Sequence, residues 1–151
     1  MLNDADRRLL RQLQSEPTLT ISELAERCGL TAATCTRRLE RLQSTGVLKG
    51  QGAVIDWAAL GYSVEVSLRI TLDKTQTRAF DDFMEAAREI PEVLEIQTFL
   101  GSVDARLSII ARDMGHYQTI YRTRILTLPH IADIEALMQI ARIKADEALP
   151  I

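Results

Sequence analysis

The 151-residue chain is 46% hydrophobic and 26% charged, enough apolar material for one medium core or two small ones. No apolar run approaches the length of a membrane span, and the start M-L-N-D-A-D-R-R lacks a signal-peptide centre, so a cytoplasmic protein with no membrane partner is expected. Cys28 and Cys35 have no second Cys or His at ligand spacing, and His116 and His130 stand alone, which argues against a metal centre or a cofactor. The net charge of −3 is unevenly spread. Residues 1–50 hold eight Arg or Lys against six Asp or Glu, while the remainder holds ten against fifteen. The basic surface therefore lies toward the N-terminus, where a nucleic-acid-binding unit could use it. A surplus of two charges is modest, and tight binding would need two or more copies acting together.

Asn3 predicts the cap of a first helix, with Asp4 and Asp6 against the positive end of its dipole and Ala5, Leu9, Leu10 and Leu13 along its apolar stripe. Pro17 stops it. Thr20 and Glu23 form a capping box at the start of a second helix, with Leu19 and Leu24 as its hydrophobic staple. Gly29 supplies the left-handed residue that ends this helix, and Thr31 caps a third almost at once. Two helices joined so tightly form a helix-turn-helix.

In the third helix Cys35, Leu39 and Leu42 fall on one stripe, leaving Ala33, Thr34, Thr36, Arg37 and Arg41 on the opposite side. Small residues permit close approach to a groove, while hydroxyls and guanidinium groups reach phosphates or base edges. An ordinary amphipathic helix with a solvated basic face fits this helix alone equally well. Arg38 sits beside the buried stripe, suited to phosphate contact or to packing. Gly46 then ends the helix, and Val47–Ile55 reads as two short strands about a glycine-rich turn. This would be a wing, with Lys49 near phosphates or in a purely structural hairpin.

Asp56–Tyr62 has too few polar residues for a free linker and predicts a packed turn or short helix anchored by Trp57. From Ser63 the apolar residues Val64, Val66, Leu68, Ile70 and Leu72 alternate with polar ones, the mark of a strand with one buried face. A helix over 75–89 carries Phe80, Phe83 and Ala87, with Ile90 following; strands follow at Val93–Leu100 and Val103–Ala111. A second helix carries Tyr117, Ile120, Tyr121 and Ile125, and Ile134, Ala136, Met138 and Ile140 mark a last strand. The order βαββαβ is that of a ferredoxin-like sheet with both helices on one face. Its open face would present Glu65, Ser67, Arg69, Glu95, Gln97, Arg106 and Ser108, a polar surface able to meet its own copy in a two-fold homodimer. A dimer also spaces two helix-turn-helix units for paired half-sites on double-stranded DNA.

The expected fold is thus α+β: a winged helix-turn-helix over 1–55, a connecting segment over 56–62, and a βαββαβ domain over 63–151. No nucleophile–base pair or phosphate loop points to an enzyme. An architectural protein that compacts DNA without an effector is the alternative to a sequence-specific regulator.

Together the two halves resemble the Lrp/AsnC family of transcriptional regulators. The resemblance runs through L-N-D-A-D-R-R-L-L-R-Q-L, E-L-A-E-R-C-G-L-T, R-R-L-E-R-L-Q-S-T-G-V-L-K-G, L-G-S-V-D-A-R-L and R-I-K-A-D-E-A-L-P-I, in order over nearly the whole length. It implies transcription control by an amino acid or related metabolite bound between sensing domains, in dimers that often assemble to octamers. Gly101 and Asp104 match the family's G-x-x-D loop at that site, with Ser102 between them. Glycine permits close backbone approach, and a carboxylate beside free N–H groups suits an α-amino acid; a tight β-turn with a capping Asp is the plain alternative. The chain departs from the family at Ala105, where an aromatic is usual, and at Thr31, where Ser is usual.

Overall fold

The computed structural model describes residues 2–145 and 148–151. These divide into two compact units, one built from residues up to 54 and from 144 onward, the other from 55 to 143. The last residues, expected with the second domain, group with the first because Arg11 Nε donates to the Ile151 carbonyl at 2.6 Å and Gln14 exchanges two hydrogen bonds with the Leu149 backbone.

The first unit contains α1 (Asp4–Ser15), α2 (Ile21–Cys28) and α3 (Ala32–Ser44). Each start carries the cap its sequence announces. Asn3 and Asp6 form a full capping box on α1, Thr20 and Glu23 form another on α2, and the Thr31 hydroxyl accepts from the Thr34 N–H at 3.2 Å on α3. Gly29 ends α2 at φ 65°, a left-handed conformation in which a side chain would be strained, and the Leu30 N–H returns to the Ala25 carbonyl. Leu9, Leu24, Ala25, Cys28 and Cys35 make the core, with Leu13, Leu19, Leu30 and Leu39 packed around them. Burial pushes both thiols up, which keeps them protonated and inert.

The expected hairpin strands of the wing are not formed: residues 47–56 carry no strand. Their fixed points in this unit are a Leu48 N–H bond to the Leu42 carbonyl at 2.9 Å and a Gln51 side-chain bond to the Pro17 carbonyl at 3.1 Å. Flanking Gly50 and Gly52, two three-residue arms with exposed Val47 and Val54 bury too little to offset the entropy of pairing.

The second unit opens on a turn over 57–61, closed by Leu60 and Tyr62 N–H bonds to the Trp57 carbonyl, with Trp57 itself partly exposed. It continues as β1 (Val64–Leu72), α4 (Ala79–Arg88), β2 (Val93–Thr98), β3 (Ala105–Ala111), α5 (Met114–Ile120), a π-helical turn (Tyr121–Ile125) and β4 (Ile131–Met138). The sheet order is β2-β3-β1-β4, all neighbours antiparallel. Val66, Leu68, Ile70 and Leu72 of β1 join Leu107 and Ile109 of β3, Phe83 and Ala87 of α4, and Ile120 and Ile125 in one core.

Phe80, expected in that core, is 48% exposed; Ala79, Phe83 and Ala87 form the inward i, i+4, i+8 row, and Phe80 lies one position around the helix. Ile140 lies beyond the end of β4 and is 99% exposed. At the end of α5 and in the turn after it, the Thr119 and Thr123 hydroxyls bond back to the Gly115 and Thr119 carbonyls, at the point where the helix loosens into its π turn.

Candidate nucleic-acid interface and effector loop

On α3, Cys35 and Leu42 are buried and Leu39 is partly so, which turns Ala33, Thr36, Arg37, Glu40 and Arg41 outward. Arg37 makes no hydrogen bond or ion pair among the described residues, and the same holds for the Lys49 side chain. The threonines are more constrained. Thr31 Oγ1 donates to Thr34 Oγ1 at 2.9 Å, and Thr36 Oγ1 donates to the Ala32 carbonyl at 3.0 Å, so Thr36 keeps its acceptor lone pairs outward.

Arg38 and Arg41 have a different setting. Asp6, from the first turn of α1, is fully buried, and its two oxygens face both arginines. Arg38 Nη1 donates to Asp6 Oδ1 at 2.9 Å and to Asn3 Oδ1 at 3.2 Å, while Arg41 Nη2 donates to Asp6 Oδ2. The Asn3 backbone N–H adds a bond to Asp6 Oδ2 at 3.1 Å. Burial raises the Asp6 pKa, but the Asn3 amide and the two guanidinium groups outweigh it and hold the carboxyl below its usual range. Arg38 is thus a packing residue of the helix pair in this structure, and Arg41, 49% exposed, shares its charge with α1.

Sequence reasoning placed Asp6 at the dipole and missed its burial. The available signal was its position three residues after Asn3, which marks a capping box but not a partner 35 residues away. Glu40, exposed on the same helix three residues after Arg37, also lies on the outward face.

In the second unit, the loop 99–104 folds over the end of β1. Gly101 has φ 149°. The Ser102 carbonyl accepts from Thr71 Oγ1 at 3.1 Å, and the Asp104 N–H donates to the Ile70 carbonyl at 2.9 Å. The Asp104 carboxylate is not beside free N–H groups. Oδ2 accepts from the Leu72 N–H at 2.8 Å and Oδ1 pairs with Lys74 Nζ at 3.2 Å. The carboxylate thus fastens the loop to the end of β1, with exposed Phe99, Leu100 and Lys74 beside it.

On the sheet's open face the register aligns Gln97, Arg106, Arg69 and Glu135 in one row and Glu95, Ser108, Ser67 and Leu137 in the next. Arg69 and Arg106 sit opposite each other, an unfavourable like-charge pair offset by Arg69–Glu135 at 3.4 Å and Arg106–Glu95 at 3.6 Å. Among the described residues no group of His, Cys, Asp and Glu could hold a metal ion, and no helix is long and apolar enough to cross a membrane.

Two family models match this chain: a winged helix-turn-helix DNA-binding domain over residues 2–49 and the Lrp/AsnC ligand binding domain over 65–149. The chain is 30% identical to the DNA-binding transcriptional activator DecR of Escherichia coli K12, over all of this chain and 99% of DecR. A transcriptional regulator of Neisseria meningitidis, solved in complex with L-methionine, superposes with a TM-score of 0.91 at 26% identity, covering 99% of this chain and 97% of that one. The feast or famine regulatory protein of M. tuberculosis, also complexed with L-methionine, gives 0.87 at 28% identity over 99% of both chains. The fold, the two matched domains and these likenesses agree: the chain belongs to the Lrp/AsnC family of transcriptional regulators.

Proposed function

We propose that the protein regulates transcription by binding specific sites on double-stranded DNA through the outward face of α3. Arg37 carries the reading: it is a guanidinium with no partner among the described residues, flanked by Ala33 and Thr36 on a helix whose opposite side is buried. Ala33, Thr34, Thr36, Arg37 and Arg41 would meet base edges, with Thr31 and Lys49 at phosphates and Arg38 in support. The matched relatives are DNA-binding regulators, in keeping with a cytoplasmic non-enzyme.

Arg37→Ala is expected to weaken binding to the cognate duplex by about 1–3 kcal/mol while leaving random DNA less affected, as measured by fluorescence anisotropy. Equal losses on both duplexes would make Arg37 a phosphate contact. Discrete footprints at physiological salt are expected; continuous protection would instead favour a compacting protein.

Two copies meeting through the open sheet face would present two α3 helices to paired half-sites, and dimers would assemble further, to an octamer.

The effector would be an amino acid or related metabolite at the loop carrying Gly101, Ser102 and Asp104, a reading supported by the relatives solved with L-methionine. Its ammonium group would compete with Lys74 for Asp104. A thermal-shift screen of the twenty amino acids and their keto acids tests this; a ligand at a hundred times its Kd adds about 2.7 kcal/mol of stability. Asp104→Asn should abolish that shift, and no shift in wild type would point to an effector-independent regulator. Binding at the two sites is linked reciprocally, so the same effector changes DNA affinity by the factor by which DNA changes effector affinity.

A further inference from the structure

Asp6 faces away from the outward side of α3, yet it is the most fully engaged charge in the first unit. It is buried, its carboxylate meets two guanidinium groups and one backbone amide, and both arginines come from the helix proposed to meet DNA. The two arginines are held differently. Arg38 is 24% exposed and also bonds Asn3, so its guanidinium is spent on the contact between helices. Arg41 is 49% exposed and gives Asp6 only Nη2, which leaves Nη1 and Nε with no hydrogen bond among the described residues on a side chain fixed at one end. A long side chain anchored this way has already lost much of the rotamer freedom that binding would otherwise cost.

Resting on the reading of α3 as the DNA-binding helix, we infer that Asp6 is a positioning residue for DNA recognition, holding Arg41 in a fixed pose toward the duplex and neutralising one of the two arginine charges. Its carboxylate restricts where Arg41 can reach and lowers the unspecific attraction of this face for phosphates. Specificity gains on both counts, because cognate binding keeps a preorganised contact and random binding loses a free cation.

The test uses the full chain and two probes: the duplex that wild-type protein enriches from a random-sequence pool, and a random duplex of equal length. Asp6→Asn keeps the volume but removes the charge. Its ratio of cognate to random affinity should fall about tenfold or more, the scale of one well-placed arginine contact. On random DNA its affinity should hold or rise, and the slope of log affinity against log salt should steepen by about one, as one further cation becomes free to displace counterions. A protein merely loosened by the substitution would lose affinity for both duplexes with an unchanged slope, and that result overturns the inference.

Arg41→Gln with and without Asp6→Asn supplies the second check. If Asp6 acts through Arg41, the double variant has the same affinity ratio as Arg41→Gln alone; losses that multiply overturn the inference. Should Asp6→Asn fail to fold, Asp6→Leu with Arg38→Met replaces the buried ionic contact by apolar packing and still deprives Arg41 of its anchor. That variant should show the same reduced ratio, and a wild-type ratio in it refutes the role. Arg37→Ala separates the two levels: wild-type affinity in that variant sinks the reading of α3 itself, whereas a loss there with an intact ratio in Asp6→Asn sinks the role of Asp6 alone.

Discussion

Phe83→Ala should destabilise the second unit by about 3–5 kcal/mol, the cost of removing a large buried ring and leaving a cavity that its neighbours fill only in part. Phe83 is fully buried at the middle of α4, in the core formed with β1, β3 and the helices that follow. Thermal unfolding followed by circular dichroism checks this. A shift in midpoint no larger than that of Phe80→Ala, on the exposed side of the same helix, would show that the ring does not hold the sheet to α4.

Leu9→Ala is the corresponding test of the first unit, with an expected loss of about 2–5 kcal/mol. Leu9 has no exposed surface and lies among Leu24, Ala25, Cys28 and Cys35, where α1 covers the helix-turn-helix. A unit this small has little stability in reserve, so a loss of that size approaches its whole margin. DNA binding should therefore fail on modest warming, at a temperature where the larger second unit still shows its sheet signal. Unchanged binding up to the wild-type midpoint would contradict this placing of Leu9.

Acid should act on the same region. The Asp6 carboxyl is held below its ordinary range in the folded protein, by its amide and guanidinium partners against the opposing effect of burial. Its folded pKa is therefore the lower one, and the stability it contributes is present above the unfolded value of about 3.9 and lost as pH falls through the folded value. Asp6→Asn removes that component, so its denaturation midpoint should decline less steeply than wild type below about pH 4.

What could be read from the residues was what depends on neighbours in sequence. Thr20 with Glu23, Thr31 with Thr34 and Gly29 sit within a few positions of the groups they satisfy, so the helix starts and the tight turn are legible. The alternation from Val64 to Leu72 likewise specifies which side of β1 is buried. The polar set from Glu65 to Ser108 then falls on the other face once the register is known.

What could not be read depends on distant partners. Asp6 and Arg41 are 35 positions apart, and Asp104 and Leu72 are 32 apart. In both places the sequence shows a charged residue of the right kind for a ligand, and the fold supplies an internal partner for it. The missing wing strands have a related cause. Alternation and glycines mark a segment that can turn, but pairing requires burial that Val47 and Val54 do not obtain.

The fastening of the loop at Asp104 has one more consequence. The Leu72 amide proton is shielded by a single carboxylate oxygen, and the next residue, Asp73, donates its own N–H to the His130 carbonyl at 2.7 Å. A ligand that draws Asp104 away therefore uncovers one amide and leaves its neighbour protected. Hydrogen exchange at these adjacent positions becomes an internal gauge of occupancy, with Leu72 as the indicator and Asp73 as its reference.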